Sequence, residues 1–398
     1  MTVKIKVDQL IKVFGKHPEK ALRMLEKGAA KDEILKKTKQ GVGIANVSFD
    51  VQDGEILVVM GLSGSGKSTL VRCINRLIEP TRGRVYVDGQ EITTLSPKEL
   101  RMVRQQKFGM VFQNFALFPH RTVVQNTEYG LEIKGVDKSE RHRKALEALE
   151  LVGLNGWENS YPSQLSGGMQ QRVGLARALA LDPDILLMDE AFSALDPLIR
   201  RDMQDELLNL QKRVRKTIVF ISHDLDEALK LGDRIILMKD GEIVQVGTAE
   251  EILTSPATDY VAKFVEDVDI SKVLTAETIM SKSKAVGYLN HDGPRSALRK
   301  MRQADISNLF IVNHDNALQG IIYAEDASAA LKNNGKDLTH LIRKDVRTVG
   351  PDAPANDLFE LIKDISYPLA VVSDERKLKG VIVKGRLLSA LAQGGSYS

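Results

Sequence analysis

Apolar and polar residues alternate strictly at the start of the chain, where Val3, Ile5 and Val7 are separated by Lys4, Lys6 and Asp8. A period of two predicts a strand with one buried face. Between 16 and 40 the period lengthens. Ala21, Leu22 and Leu25, then Ile34 and Leu35, recur at helical spacing around Gly28, which predicts a short helical hairpin inserted into a sheet. From 44 to about 264 apolar runs alternate with helical stretches. The runs 55–60, 185–188, 217–221 and 234–238 are largely apolar, as expected of strands buried on both faces of a parallel sheet. Asp88-Gly89 and Asp240-Gly241 mark hairpins. The alternation predicts an α/β nucleotide-binding domain with an antiparallel side sheet.

The last third repeats itself. Residues 309–331 overlay 369–391 at a constant offset of 60, with Gly320 matching Gly380. Each copy reads as strand, polar turn, strand and helix, preceded by a helical stretch at 295–302 or 355–362. Two such units predict a pseudo-twofold pair. With linkers near 268–272 and 333–336, the expected domains are 1–268, carrying a basic insert at 15–40, then 272–332 and 337–398.

Composition narrows the class. A length of 398 residues predicts two or three domains. Lys and Arg total 56 against 53 Asp and Glu, a balance that gives a nucleic-acid role no support. The one cysteine, Cys73, excludes an intramolecular disulfide and points to a reducing compartment. No apolar run approaches the ~18–20 residues that span a bilayer, and residues 1–14 lack the apolar core and cleavage site of a signal peptide. Any work at a membrane is expected from its cytoplasmic face.

The chemistry begins at Gly61-Leu62-Ser63-Gly64-Ser65-Gly66-Lys67-Ser68, followed by Thr69. This fits GxxxxGK[ST] between a strand and a helix, the context in which backbone N–H groups wrap phosphates. Lys67 is expected to reach the β- and γ-phosphates, and Ser68 to ligate Mg²⁺. The run 185–188 ends in Asp189 and Glu190. Asp189 is placed to hold the metal through water, and Glu190 to polarise the water that attacks the γ-phosphate. Leu165-Ser166-Gly167-Gly168-Met169 precedes a helix and could offer a second phosphate its N-terminus.

On these motifs the chain resembles the ATP-binding subunit of ABC transporters. Residues 165–169 resemble the ABC signature LSGGQ, with Met169 in place of the usual glutamine; whether Gln170 takes over its role stays open. The resemblance makes Gln113 the glutamine that senses Mg²⁺ and attacking water and contacts the membrane subunit. It makes His223 the switch histidine and Asp196, in Ser193-Ala194-Leu195-Asp196, part of the loop that crosses the dimer interface. Phe14 is the candidate for adenine stacking, with core packing as the other reading. Two copies would close head to tail, each ATP lying between 61–68 of one and 166–168 of the other.

The basic insert, the stretch 115–120, the run 188–200 and the C-terminal repeat together resemble the osmoregulatory glycine betaine/proline betaine importers. The repeat is similar to a pair of cystathionine-β-synthase-type (CBS) modules, which usually bind adenine nucleotides. The first copy keeps the family's Asp at Asp326 but has Tyr323 for its Thr; the second has Val383 and Arg386 at these places. ATP or AMP in the usual mode is therefore disfavoured. A cyclic dinucleotide such as cyclic di-AMP is the alternative, with Lys384 and Arg386 facing phosphate and Val383 packing a base. A purely structural dimerisation module is the competing reading.

The lysines of the insert read either as a solvated helix face or as a dock for anionic lipid, the latter sensitive to ionic strength. The resemblance implies permease subunits with a substrate-binding domain as partners, a peripheral position on the membrane, and no nucleic acid. Two other classes are weighed. A non-transport ABC ATPase typically carries two cassettes or a long coiled-coil insertion, and neither is present. A CBS sensor with a dead cassette conflicts with intact Lys67, Asp189, Glu190 and His223. An importer ATPase for a different substrate stays open, because no residue here would touch the cargo.

Overall fold

The computed structural model describes residues 2–113, 115–266, 268, 274–289, 291–333 and 337–392. The chain divides into two compact units, 1–265 and 266–398. Most of the linker positions expected at 268–272 and 333–336 lie outside the described residues.

Among the described residues the first unit holds ten strands: β1 (Val3–Phe14), β2 (Gly41–Gln52), β3 (Ile56–Met60), β4 (Arg82–Val87), β5 (Gln90–Glu91), β6 (Phe108–Phe112), β7 (Ile185–Asp189), β8 (Thr217–Ile221), β9 (Arg234–Lys239) and β10 (Glu242–Gly247). They form a six-stranded sheet of order β10-β9-β3-β8-β7-β6 and a four-stranded sheet of order β2-β1-β4-β5. Every residue of β3, β7 and β8 is buried, which is why these runs carry no polar alternation. Five of the six strands are parallel, and only β10 runs against its neighbour.

Register decides where the chemistry falls. Phe112 pairs with Asp189, Asp189 with Ile221, and Ile221 with Val59. The carboxyl ends of β6, β7, β8 and β3 are therefore level, and the segments that follow them all emerge at one edge of the sheet. In open α/β sheets that edge is where ligands bind.

The side sheet carries the insert. Helices Pro18–Glu26 and Lys31–Thr38 leave the β1–β2 hairpin between Phe14 and Gly41 and pack Ala21, Leu22 and Ile34 on Ile11, Val13, Val42 and Ala45. Gly28, with φ of 77°, makes the turn between them. Helices Val123–Ile133, Lys138–Leu151 and Gly167–Leu179 pack on one another as a helical subdomain. Cys73 lies on helix Lys67–Ile74, wholly buried in the core between the two sheets.

The second unit contains two three-stranded sheets, β11 (Val286–Tyr288), β12 (Asn308–Val312) and β13 (Leu318–Tyr323), then β14 (Thr348–Val349), β15 (Leu369–Val372) and β16 (Leu378–Ile382). In each, the first strand is parallel and the third antiparallel to the middle one. Leu318 N donates to Arg376 O at 2.9 Å, and Leu378 N donates to Asn316 O at 2.9 Å. The offset of 60 relates Leu318 to Leu378 and Asn316 to Arg376, so each bond is the other with the two copies exchanged, and the sequence repeat is a spatial twofold. Phe310, Val312, Leu318 and Ile321 share a core with Ala370, Val372, Leu378 and Val381. The expected α/β cassette with an antiparallel side sheet and helical subdomain, followed by a tandem pair, is the observed fold.

Candidate functional site

Strand β3 runs into the loop 61–66 and then into helix Lys67–Ile74. Gly61 has φ of 143° and Gly66 of 105°; a Cβ on either would lie 2.2 Å from Met238 O or 2.4 Å from Gly43 O. No side chain caps the helix N-terminus, so its partial positive charge is left for an anion. Lys67 is buried, with its Nζ donating to Gly61 O at 2.8 Å and Leu62 O at 3.1 Å. Burial pushes its ammonium below the ordinary value, against the pull of Glu190 and Asp189. Ser65 is buried and its Oγ has no hydrogen-bond partner. A buried cation spending its donors on loop carbonyls, beside an orphaned hydroxyl and an uncapped helix, fits a phosphate chain.

Asp189 closes the base of this cradle. Ser68 Oγ donates to its Oδ1 at 2.9 Å and Arg72 to its Oδ2 at 3.1 Å. Among the described residues no cluster of three or more His, Cys, Asp or Glu is placed to hold a metal. Ser68 and Asp189 fit a magnesium ion that takes its remaining ligands from water and nucleotide. Arg72 was not picked out from the sequence. Its spacing of four from Ser68 on one helix was the available signal.

Glu190 adopts φ of 49°, in the left-handed region. That conformation costs a non-glycine residue about 1–2 kcal/mol and is the kind of strain that collects at functional sites. His223, one residue beyond Ser222 at the end of β8, brings Nδ1 to 3.6 Å from Glu190 Oε2. Gln113 follows Phe112, next to Asp189 in register, and is exposed. The chain after it is held by Arg177, which donates to Phe115 O at 3.0 Å and Ala116 O at 2.5 Å. Phe115 and Ala116 both have positive φ. Arg177 lies on the helix that follows the signature, an anchor that sequence spacing did not disclose.

The family model described as ABC transporter matches residues 44–193, and the CBS domain model matches 290–333 and 336–393. The chain is 57% identical over 395 residues to the glycine betaine transport ATP-binding protein OpuAA of Bacillus subtilis, covering 99% of this chain and 94% of that one. It is 55% identical over 389 residues to the glycine betaine/carnitine transport ATP-binding protein GbuA of Listeria monocytogenes, covering 98% of each. Against the glycine betaine/proline betaine transport system ATP-binding protein ProV of Escherichia coli the identity is 48% over 402 residues, covering 99% of each. This chain belongs to the glycine betaine class of ABC transporter ATP-binding subunits. It is an ABC-type ATPase. The fold also matches MJ0796, a bacterial ABC transporter cassette solved as a dimer, with 35% identity, a TM-score of 0.52, and coverage of 62% of this chain and 98% of that one. A dimeric post-hydrolysis state of the same cassette holds ADP and phosphate.

The remaining ABC landmarks occupy a second, exposed surface. Ser166 caps helix Gly167–Leu179, its Oγ accepting from Met169 N at 3.3 Å. Ser166 and Gly167 are exposed, whereas Gly168 is sealed by Ile199, whose Cγ2 would lie 2.5 Å from an added Cβ. Gln170 donates to Pro162 O at 3.1 Å and Leu165 O at 3.2 Å, so its amide is spent bracing its own loop. Asp196 is exposed at the N-terminus of helix Pro197–Val214.

Phe14 stands 44% exposed at the end of β1, too open for a core residue. A Cβ on Gly43 would lie 2.7 Å from its ring and 3.2 Å from the Thr69 methyl, so Gly43 is what lets this ring approach the phosphate-loop helix. In the tandem pair, Asp326 is bound by Arg343 at 2.9 Å, and that guanidinium lies over the Tyr323 ring at 4.6 Å. Lys384 Nζ donates to Lys363 O at 2.9 Å and Arg386 Nε to Ile279 O at 2.6 Å, while Val383 is exposed.

Proposed function

We propose that the chain powers uptake of glycine betaine or a related quaternary-amine osmoprotectant. Near full-length similarity to three glycine betaine subunits from different bacteria carries this reading. Among the described residues no helix is long and apolar enough to cross a membrane. The path for the cargo therefore belongs to permease subunits, which carry the substrate-binding domain, and the chain sits peripherally on the cytoplasmic face.

The site residues take the following roles. ATP enters on the phosphate loop, where the N–H groups of 61–69 and Lys67 hold its phosphates, Lys67 exchanging the Gly61 and Leu62 carbonyls for phosphate oxygens. Phe14 stacks on the adenine. Ser68, Asp189 and Gln113 would hold Mg²⁺, which would supply charge neutralisation to the triphosphate when bound. Two copies close head to tail, and Ser166, Gly167 and Gly168 of each cover the γ-phosphate of the other, with Asp196 at the seam. Glu190 accepts a hydrogen bond from the attacking water and aims it in line, and His223 reports the γ-phosphate. Hydrolysis opens the pair, and the permease follows.

Two regulatory inputs complete the reading. Lys36, Lys37 and Lys39 are exposed on the insert, placed to dock on anionic lipid with roughly 1 kcal/mol per cation near the surface. Salt that shortens the Debye length from about 10 Å at ~0.1 M to about 3 Å at ~1 M would release them. The CBS pair takes a cyclic dinucleotide, cyclic di-AMP, Lys384 and Arg386 exchanging the Lys363 and Ile279 carbonyls for phosphate oxygens.

The test is ATP hydrolysis by the full complex in anionic-lipid vesicles, read against salt, glycine betaine and cyclic di-AMP. Salt-activated, betaine-stimulated hydrolysis that the dinucleotide changes supports the reading. Replacing Lys36, Lys37 and Lys39 with Gln should lower the salt needed for activation. Hydrolysis indifferent to betaine overturns the cargo, and indifference to salt or dinucleotide overturns the corresponding input.

A further inference from the structure

A polar circuit starts at the backbone carbonyl of Glu190. Ser193 N and Oγ both donate to Glu190 O, at 3.2 and 2.9 Å. Arg200, on the first turn of helix Pro197–Val214, then donates through Nη2 to Ser193 O at 3.3 Å and Leu195 O at 3.2 Å, and through Nη1 to Asp224 Oδ2 at 3.2 Å. Asp224 adjoins His223, whose ring faces Glu190. One guanidinium thus joins the backbone of the loop 193–195 to the segment that carries the switch histidine.

Helix Pro197–Val214 is tied to helix Leu225–Leu231 at further points. Gln204 Nε2 donates to Glu227 Oε1 at 3.2 Å, and Ser222 Oγ donates to the other oxygen of that buried carboxylate. Lys230 pairs with Asp205 at 2.7 Å. Asp224 is also the cap of helix Leu225–Leu231, accepting from Glu227 N through Oδ1. A planar guanidinium suits this junction because its rigid fork presents donors to both loops at set angles, whereas a lysine ammonium is a rotatable point charge.

We propose that Arg200 is a positioning residue that locks the loop 193–196 to the switch segment 222–224, so that the state read by His223 at one ATP is passed through Asp196 to the partner copy. This rests on the paired-site reading above. Displacing the switch segment when the γ-phosphate leaves must drag the Ser193 and Leu195 carbonyls with it, and Asp196 follows them in the chain. The two ATP sites then hydrolyse cooperatively because the reading element and the reaching element are one body.

The experiment uses the full complex with its permease, comparing wild type with Arg200→Gln, Asp224→Asn and the double variant. Asp224→Asn keeps the cap acceptor and removes only the charge, so the switch helix is retained. Expected in each single variant are a roughly tenfold lower kcat and a KM for ATP within about twofold. The Hill coefficient should fall from near the two-site limit of about 2 toward about 1. The double variant should be no worse than either single, since both remove one coupling. Arg200→Lys should restore part of kcat but little of the cooperativity. Variants that stay as cooperative as a cooperative wild type overturn the inference alone, as do additive losses in the double variant. A wild-type complex with a Hill coefficient of about 1 overturns both the paired-site reading and this one.

Discussion

In the proposed closed pair, the phosphate-loop face and the signature face meet one nucleotide with opposite materials. On the first, Ser65, Lys67 and Asp189 are 4–6% exposed, and the two charged groups are already satisfied by loop carbonyls, Ser68 and Arg72. On the second, Ser166 and Gly167 stand in solvent with no formal charge, offering a hydroxyl and the start of a helix. The difference follows from how often each is dehydrated. Charge removed from water costs several kcal/mol per ion unless it is paired, so it is kept where burial is permanent. A surface that must shed water every time two copies close is cheaper to desolvate when it carries only neutral dipoles.

Three experiments bear on that contrast. The largest effect is expected from Lys67→Ala, which should weaken ATP binding by about a hundredfold or more by removing a charge-assisted contact and leaving an unlined cavity. Ser166→Arg should leave binding to the single chain within about twofold but remove hydrolysis, since a cation on the signature face cannot be desolvated against the partner. Fluorescent-nucleotide titration and steady-state turnover separate the two; equal losses of binding in both variants would erase the distinction. A smaller effect is expected from Phe14→Ala. Loss of ring stacking worth about 0.5–1.5 kcal/mol corresponds to roughly two- to tenfold weaker binding of ATP, with turnover at saturation unchanged.

The smallest effect concerns a charge network away from both faces. Lys4 and Lys107 each bridge Asp88 and Asp184, at 2.7–3.2 Å. Partial burial pushes the Asp88 and Asp184 carboxyls up, but hydrogen bonds from Lys107 and Lys4 outweigh it and hold both below the ordinary value. Hydrogen bonds to Asp184 and Asp88 raise Lys107. The carboxylates' contribution is therefore present above about pH 4 and lost as pH falls through their depressed values; the lysine's is present up to about pH 10 and lost above. Exposure limits it to about 1 kcal/mol. Asp88→Asn should lower the melting temperature at pH 7 by a few degrees and by less at pH 3, measured by calorimetry.

Strand order and site were legible to different depths. The uninterrupted apolar runs 185–188 and 217–221 disclosed buried parallel strands, and the motif at 61–68 disclosed the cradle, because both depend on residues adjacent in the chain. The roles of Arg72, Arg177 and Arg200 were hidden, because each acts by reaching from a helix to a carbonyl or carboxylate on another segment, and an arginine on a helix face looks solvated in sequence. Gly43 was hidden for the same reason: its importance is the space it leaves between Phe14 and Thr69. The bonds of Gln170 to Pro162 O and Leu165 O were hidden too, since they run back to the loop before its helix. In the tandem pair, the repeat announced the twofold, but the bond between Asp326 and Arg343 joins residues that the repeat does not relate.

Cys73 has a practical consequence. Its thiol is wholly buried, and burial pushes its pKa up to about 12, so almost none of it is thiolate at neutral pH. The native chain is in effect silent to maleimide reagents. A single cysteine introduced at an exposed position outside the two nucleotide faces can therefore carry a fluorophore without stripping the protein first, so that its emission follows ATP binding in real time.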